Sequence, residues 1–375
     1  MRKKLNIAVI CGGRSGEHEV SLQSAASVIA ALDPAKYSIL PVRIDRAGRW
    51  LRDQSLLPAG QAKTLMSGKR SGAVLAQPGS SWLNGANRRA VGIDVAIPLV
   101  HGTGGEDGCL QGLLELASIP YVGSGVLGSA VGMDKAVQKK ILEREKLPVV
   151  PWLDFTDEAW QRNQEGIVRD IINRFGFPVF VKPANLGSSV GISKAHHLKE
   201  LLAAIRLALS YDLKVVVEKS VERAREIECA VLGSTDAPET SVLGEIVPSN
   251  EFYDYEAKYI DGRSQALIPA PLPPALAAFI RQLAARTFTA LEAYGLARVD
   301  FLLSRDKQPK VYLNEINTLP GFTSISMFPK LWAASGLSYG RLIDKLIALA
   351  LKRGRRNGRL TRIYAPGQSG GKKNL

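Results

Sequence analysis

Ala297-Arg298-Val299-Asp300-Phe301-Leu302-Leu303 and Val311-Tyr312-Leu313-Asn314-Glu315-Ile316-Asn317 are two strand-like runs separated by the polar segment 304–310, and together they read as a β-hairpin. Side chains alternate faces along a strand, so Arg298 and Asp300 share one face, as do Glu315 and Asn317. Pairing Leu303 with Tyr312 would set Asp300 opposite Glu315 and Arg298 opposite Asn317. One patch would then hold two carboxylates, an amide and a guanidinium. Oxygen ligands of this kind suit Mg²⁺, which combines a few carboxylates with substrate phosphates. A solvated face of an amphipathic hairpin is the plainer reading. It fits poorly, because such a face usually carries Lys or Thr, not a lone Asn followed by Thr318-Leu319-Pro320-Gly321.

The chain has 375 residues, of which 46% are hydrophobic and 22% charged, a composition of ordinary globular proteins with room for two to three domains. Met1-Arg2-Lys3-Lys4-Leu5 imitates the start of a signal peptide, but the apolar run Ile7–Cys11 stops at Gly12-Gly13-Arg14 and is too short for one. No stretch is long enough to span a membrane. Cys11, Cys109 and Cys229 are few and scattered, with neither a disulfide framework nor a zinc spacing, so the expected compartment is the cytoplasm. The net charge of +14 invites a nucleic-acid reading, but eight of the basic residues fall in 352–375, which has no Asp or Glu, leaving +6 for the rest. That tail is rich in Gly and polar residues and is expected to be a disordered, solvated extension.

Residues 5–124 alternate strands and helices: a buried strand at Asn6–Cys11, a Gly-rich turn, a helix at about 21–32, and a strand at Ile93–Val100 before the Gly-rich stretch His101–Gly112. This pattern predicts an open α/β sheet. Residues 61–92 read as a surface insertion. Further helices are expected at about 134–146, 198–209, 275–294 and 338–351, with two strands around a glycine turn over 177–193 and a strand at Val215–Lys219.

Gly187-Ser188-Ser189-Val190-Gly191 fits the G-x-S-x-G hydrolase elbow, but that motif needs a helix directly after the serine. Here Ile192-Ser193-Lys194 reads as a returning strand, and the only later histidines, His196 and His197, adjoin the loop. A Gly/Ser hairpin laying backbone N–H groups over phosphates, with Lys182 supplying charge from the preceding strand, fits better. Ser67-Gly68-Lys69-Arg70 lacks P-loop spacing, and Gly12-Gly13-Arg14-Ser15-Gly16 lacks that of a dinucleotide site. The acids Glu17, Glu19, Glu106 and Asp107 could each simply cap a helix. Two Gly-rich, acid-bearing loops after parallel strands point instead to a ligand at the strand ends. Phe252–Tyr259 reads as a loop able to close over a site.

In order, Gly12-Gly13…Glu17-His18-Glu19-Val20-Ser21, His101-Gly102…Gly105-Glu106-Asp107-Gly108, Met133-Asp134-Lys135, Val181-Lys182-Pro183…Gly187–Gly191, Tyr253–Tyr259, Arg298-Val299-Asp300 and Asn314-Glu315-Ile316-Asn317-Thr318…Pro320-Gly321 resemble the D-alanine–D-alanine ligases of the ATP-grasp superfamily over roughly residues 5–350. The resemblance implies an N-terminal open parallel α/β domain (1–124) followed by an ATP-grasp fold of two α+β domains (125–219 and 220–351), then the basic tail 352–375. It implies ATP as co-substrate, held by Lys135, Lys182, Ser189, Glu218, Lys219, Val221, Glu226, Lys258 and Asn314. Two Mg²⁺ or Mn²⁺ ions would bind Asp300, Glu315 and Asn317, with Glu315 bridging. Glu17, His101, Ser326 and Met327 would bind substrate. Glu17, Ser188 and Tyr259 would form an array joining the three domains, and Arg298 with the Gly321 N–H would stabilise the oxyanion. The reaction would activate one D-alanine as its acyl phosphate and join it to a second for peptidoglycan synthesis, in a cytoplasmic homodimer with no membrane or nucleic-acid partner. Another ATP-grasp ligase, such as a D-alanine–D-lactate ligase, and a nucleic-acid-binding protein acting through the tail are the alternatives.

Overall fold

A computed structural model of the chain describes residues 3–57, 74–77, 81–84, 89–187, 189–247 and 265–361. It opens with β1 (Leu5–Gly12), α1 (His18–Ala31), β2 (Tyr37–Ile44) and β3 (Trp50–Arg52). The insertion region contributes β4 (Val74–Gln77), β5 (Ser81–Asn84) and β6 (Arg89–Gly92), a separate antiparallel three-stranded sheet. β7 (Val95–Pro98) completes the first sheet in the order β3-β2-β1-β7. β1 runs parallel to β2 and β7, and β3 is an antiparallel edge, so the expected open parallel sheet is present with one reversed strand. Ile7, Ala8, Val9, Ile10 and Cys11 are all fully buried, as a central strand covered on both faces requires.

Three helices lead onward: α2 (Cys109–Leu116), α3 (Val126–Met133) and α4 (Lys135–Arg144). Asp134 caps α4, its Oδ1 accepting from the N–H of Ala136 and of Val137, both at 3.0 Å. The second sheet comprises β8 (Trp152–Thr156), then, after α5 (Asp157–Arg162) and α6 (Gln164–Phe175), β9 (Val179–Pro183) and β10 (Ser193–Ala195), and, after α7 (Leu198–Leu209), β11 (Lys214–Lys219). Its order is β10-β9-β11-β8, antiparallel throughout. The Gly187–Gly191 loop therefore joins two paired strands, which removes the hydrolase elbow. Val179, Val181, Val215 and Val217 face the helical layer, which turns Lys182 and Glu218 to the opposite face.

The third sheet contains β12 (Arg225–Ser234), β13 (Ala237–Val247), β14 (Gln265–Leu267), then, after α8 (Pro274–Ala290), β15 (Gly295–Leu303) and β16 (Val311–Asn317), in the order β14-β13-β12-β15-β16. α8 covers one face over Ile227, Cys229, Val299, Phe301 and Leu313, leaving Glu226, Glu228, Arg298 and Asp300 on the other. The chain continues through α9 (Met327–Ala334) and α10 (Tyr339–Asn357). Among the described residues no helix is long and apolar enough to cross a membrane.

α10 corrects the expected end of the ordered chain. It runs to Asn357, so 352–357 is helix rather than the start of a disordered tail; 362–375 lies outside the described residues. Leu342, Ile343, Leu346 and Ile347 join Ile7, Val9, Val28 and Ile97 in one core, so the last helix returns to the first sheet. Arg353 anchors its far end. The guanidinium lies 4.2 Å from the Tyr121 ring centre and 4.9 Å from that of Tyr294, and donates to the carbonyls of Gly123 (2.6 Å) and Tyr121 (3.0 Å). Cation–π contact and charged hydrogen bonds of this kind contribute about 1–3 kcal/mol each. Arg353→Ala is therefore expected to destabilise the fold by roughly 2 kcal/mol, and cutting after Leu351 by more, whereas cutting after Thr361 leaves the melting temperature unchanged; thermal melts of the three proteins check this.

Candidate active site

The hairpin of β15 and β16 forms the floor of the site. Arg298 lies opposite Asn317 and Asp300 opposite Glu315, as the sequence implies, but Leu303 pairs with Val311 rather than Tyr312. A bulge beside Asp300 and Phe301 absorbs the difference, the extra residue being Asn314. The burial pattern of β16 shows its effect: alternation breaks so that Asn314 and Glu315 are both half-buried, between Leu313 and Ile316, which are buried. Two consecutive polar residues thus serve the site. β16 is an edge strand, and its outer edge is covered. Leu313 N–H donates to the Pro148 carbonyl at 2.6 Å, and Gln138 brackets Ile316, its Oε1 accepting from Ile316 N–H (3.3 Å) while its Nε2 donates to the Ile316 carbonyl (3.4 Å).

Above this floor, Lys182 Nζ lies 2.8 Å from Glu218 Oε2 and donates to Asn314 Oδ1 at 3.3 Å. Lys139, absent from the sequence-predicted site, reaches Glu218 Oε1 at 2.9 Å, and its side chain is only 2% exposed. Lys135, one turn earlier on α4, donates to the Leu186 carbonyl (2.6 Å) and lies 3.6 Å from Glu315 Oε2. The i, i+4 spacing of Lys135 and Lys139 was the available signal. Burial alone would raise the Glu218 pKa, but Lys139 and Lys182 hold it down at about 2. For Lys139 the balance reverses: burial outweighs the pairing and lowers its pKa, with Lys182 adding repulsion. The two shifts agree if one carboxylate, shared by two ammonium groups, is stabilised more than either of them.

Arg298 donates to both oxygens of Asp300, each at 2.7 Å, and its Nε is 3.3 Å from Glu228 Oε1. Glu228, also absent from the predicted set, faces Asp300 across the β12–β15 ladder. Two chambers meet here. One is lined by Lys182, Ser189, Glu218, Lys219, Val221, Glu226, Asp300 and Asn314; the other by Glu17, His101, Lys135, Asn317, Gly321, Ser326 and Met327. Glu228, Arg298 and Glu315 line both. The predicted site residues are thus brought together, except Ser188, Lys258 and Tyr259, which lie outside the described residues.

Glu17 stands at the N-cap of α1, close to the loops of Gly102 and Gly187. Gly102 has φ +76°, and a Cβ there would come within 2.7 Å of Glu17 Oε2, so only glycine leaves room for the carboxylate. His101 is buried; Nδ1 lies 3.2 Å from the Leu319 carbonyl and 3.3 Å from Glu106 Oε1, and Nε2 lies 3.2 Å from Ser24 Oγ. Burial would lower its pKa, but Glu106, Glu17 and the carbonyl raise it. Ser326 caps α9 by position, and its Oγ accepts from Thr323 N–H at 3.1 Å. Among the described residues no three His, Cys, Asp or Glu are grouped to hold a metal unaided. Asp300 lines the first chamber, Asn317 the second and Glu315 both, oxygen donors of the type that suits a divalent ion.

Lys139→Met separates these contributions. Glu218, depressed to about 2, stabilises the fold above its unfolded value near 4.5 and loses that contribution as pH falls towards 2. The variant's Glu218, with one ammonium left, is depressed less and so has less of this contribution to lose. The melting temperature is expected to differ little from wild type at pH 7, because removing Lys139 also removes its own burial cost, and as pH falls from 6 towards 3 wild type should lose more stability than the variant; melts across that range check it.

The fold and site have close relatives. The N-terminal model of the D-ala D-ala ligase family matches residues 6–124 and the C-terminal model residues 141–348. Proteins named D-alanine–D-alanine ligase from Natranaerobius thermophilus and Heliobacterium modesticaldum are 47% and 49% identical, covering 94% and 95% of this chain and 96% and 97% of theirs. The solved D-alanine-D-alanine ligase from Coxiella burnetii superposes with TM-score 0.82 at 38% identity, covering 95% of this chain and 96% of its own. The VanG D-Ala:D-Ser ligase from Enterococcus faecalis superposes with TM-score 0.81 at 35% identity, covering 93% and 100%. The second and third sheets, facing each other across the Lys182–Asn314 contact, form the ATP-grasp fold, and the chain belongs to the D-alanine–D-alanine ligase family.

Proposed function

We propose that the protein joins two D-alanine molecules at the expense of ATP, releasing ADP and phosphate, in the cytoplasmic supply of peptidoglycan precursors, and that it does so as a homodimer. The observation that carries this reading is the meeting of two chambers at Glu228, Arg298 and Glu315, one lined by Lys182, Glu218 and Glu226 and the other by Glu17, His101 and Ser326. Lys135 and Lys182 would hold the phosphates, with Ser189 and the Gly187–Gly191 backbone over them. Glu218, Lys219, Val221, Glu226 and Lys258 would hold the rest of the nucleotide. Asp300, Glu315 and Asn317 would hold two Mg²⁺ or Mn²⁺ ions, which neutralise charge on a transferring phosphoryl group.

The first D-alanine, its ammonium at Glu17, presents a carboxylate oxygen to the γ-phosphorus; the new O–P bond forms as ADP leaves. The amine of the second D-alanine, its carboxylate at Ser326 beside the α9 N-terminus, attacks the acyl carbon. Arg298 and the Gly321 N–H would receive the negative charge that develops on the carbonyl oxygen, and phosphate departs, carrying off the proton that the nitrogen sheds, as the C–N bond remains. Losing one such donor typically costs about 10²–10³ in rate.

ADP release is expected with D-alanine and not with L-alanine, and Glu315→Ala is expected to abolish it nearly completely. Coupled-enzyme assays with and without chelator decide this; full activity of the variant would remove Glu315 from the metal site.

Acceptor choice is the finer question, since VanG is named a D-Ala:D-Ser ligase. By resemblance to the family, Tyr259 would join Glu17 and Ser188 in an array that orients the incoming amine. Wild type is expected to make D-alanyl-D-alanine. Tyr259→Phe should gain D-alanyl-D-lactate synthesis, most visibly below neutral pH, because a site built around a hydrogen bond discriminates strongly by it. Product analysis with mixed D-alanine, D-serine and D-lactate reads the outcome, and an unchanged product ratio in the variant would refute the role of the hydroxyl.

A further inference from the structure

We propose that Glu228 is a positioning residue, holding the Arg298 guanidinium in place when Asp300 turns towards a metal ion. The inference rests on the metal assignment above and extends it to a residue outside the predicted set.

Both Asp300 oxygens are occupied by Arg298, at 2.7 Å each. These are the oxygens that a divalent cation would draw upon, so a cation and the guanidinium compete for the same lone pairs. Glu228 gives Arg298 an alternative. Its Oε1 is 3.3 Å from Arg298 Nε, and it stands on the rung of Asp300, on the adjacent strand. Shifting from Asp300 towards Glu228 would loosen the hold on Asp300 without stranding a buried cation. Glu228 is 4% exposed, and one guanidinium with a bidentate carboxylate is already a neutral pair. A second carboxylate buried beside that pair costs desolvation, which its approach to Arg298 offsets, so its place is tied to that guanidinium. Its place in the partition between the two chambers is where movement of Arg298 would disturb the oxyanion contact.

The competing account is electrostatic only: Glu228 attracts metal by its charge, independently of Asp300. A double-mutant cycle separates the two. Mn²⁺ binding to the enzyme–ADP complex, without D-alanine, is measured by electron paramagnetic resonance. Glu228→Gln is expected to weaken Mn²⁺ binding three- to tenfold, since Arg298 then clings to Asp300. In an Asp300→Asn background the same change should move binding less than twofold. In steady state, kcat should fall roughly tenfold while KM for ATP shifts less than threefold, and the metal-free melting temperature should hold or rise. Glu228→Asp, which keeps the charge but withdraws it by one methylene, should follow the same pattern at smaller size and serves if Glu228→Gln does not fold. Wild-type Mn²⁺ affinity in Glu228→Gln, an equal loss in the Asp300→Asn background, or a fall in melting temperature that accounts for the whole kinetic loss would each overturn the proposal. The Mn²⁺ measurement uses no D-alanine, so it stays readable if wild type makes no dipeptide, and dipeptide synthesis stays measurable if the cycle shows no coupling.

Discussion

The extra residue at Asn314 is the constraint from which the site is built. A regular antiparallel ladder offers one polar residue per two positions to a given face. The bulge lets Asn314 and Glu315 both leave the apolar layer, so the strand meets Lys182 with one and Lys135 with the other. Those lysines belong to β9 and α4, beyond the hairpin's own sheet. The irregularity is therefore what joins the two halves of the cleft, and it requires the strand edge to be held. Gln138 and the Pro148 carbonyl hold it, on either side of the bulge.

The pairing of Asp300 with Glu315 was legible in the sequence, but for a reason that was half wrong. Counting back from a Leu303–Tyr312 pair assumes a regular ladder; the bulge shifts the far end of the hairpin by one residue and leaves the functional rungs where the count put them. Nothing in the alternation of Val311–Asn317 announces this, because Asn314-Glu315 reads as a lapse in pattern until its partners are known. Lys139 and Glu228 were missed for a related cause. Each lies in a regular element at a position consistent with solvent, and the partners that bury them, Glu218 and Arg298, lie about 80 and 70 residues away, beyond any local signal. The spacings Lys135–Lys139 and Glu226–Glu228 were visible, yet a charge at helical or strand period more often marks an exposed face.

The end of α10 failed differently. Lys352, Arg353, Arg355 and Arg356 look like the start of a charged tail, and the apolar stripe stops at Ala350. Lys and Arg are nevertheless good helix formers, and basic residues in a last turn complement the helix dipole. Arg353 replaces an apolar contact by lying over two aromatic rings, a form of docking that composition alone cannot distinguish from solvation.

Charge in the cleft is sorted by side as well as balanced. Lys135, Lys139 and Lys182, with Glu218 among them, come from α4, β9 and β11; Glu228, Asp300 and Glu315, with Arg298 among them, come from β12, β15 and β16. Each wall keeps one group of opposite sign, which ties its neighbours together and limits repulsion during folding. What remains is a cationic wall facing an anionic one. The walls touch at Lys182–Asn314 and Lys135–Glu315, with no full neutralisation across the gap. A ligand that is itself two-signed suits such a gap: polyphosphate oxygens towards the lysines and divalent cations towards the carboxylates. Either component alone would leave one wall unmatched in a setting where unpaired charge is costly. Under the proposed metal assignment the cleft would take nucleotide and cations together, and Arg298, a cation on the anionic wall, lines the second chamber as well as the first.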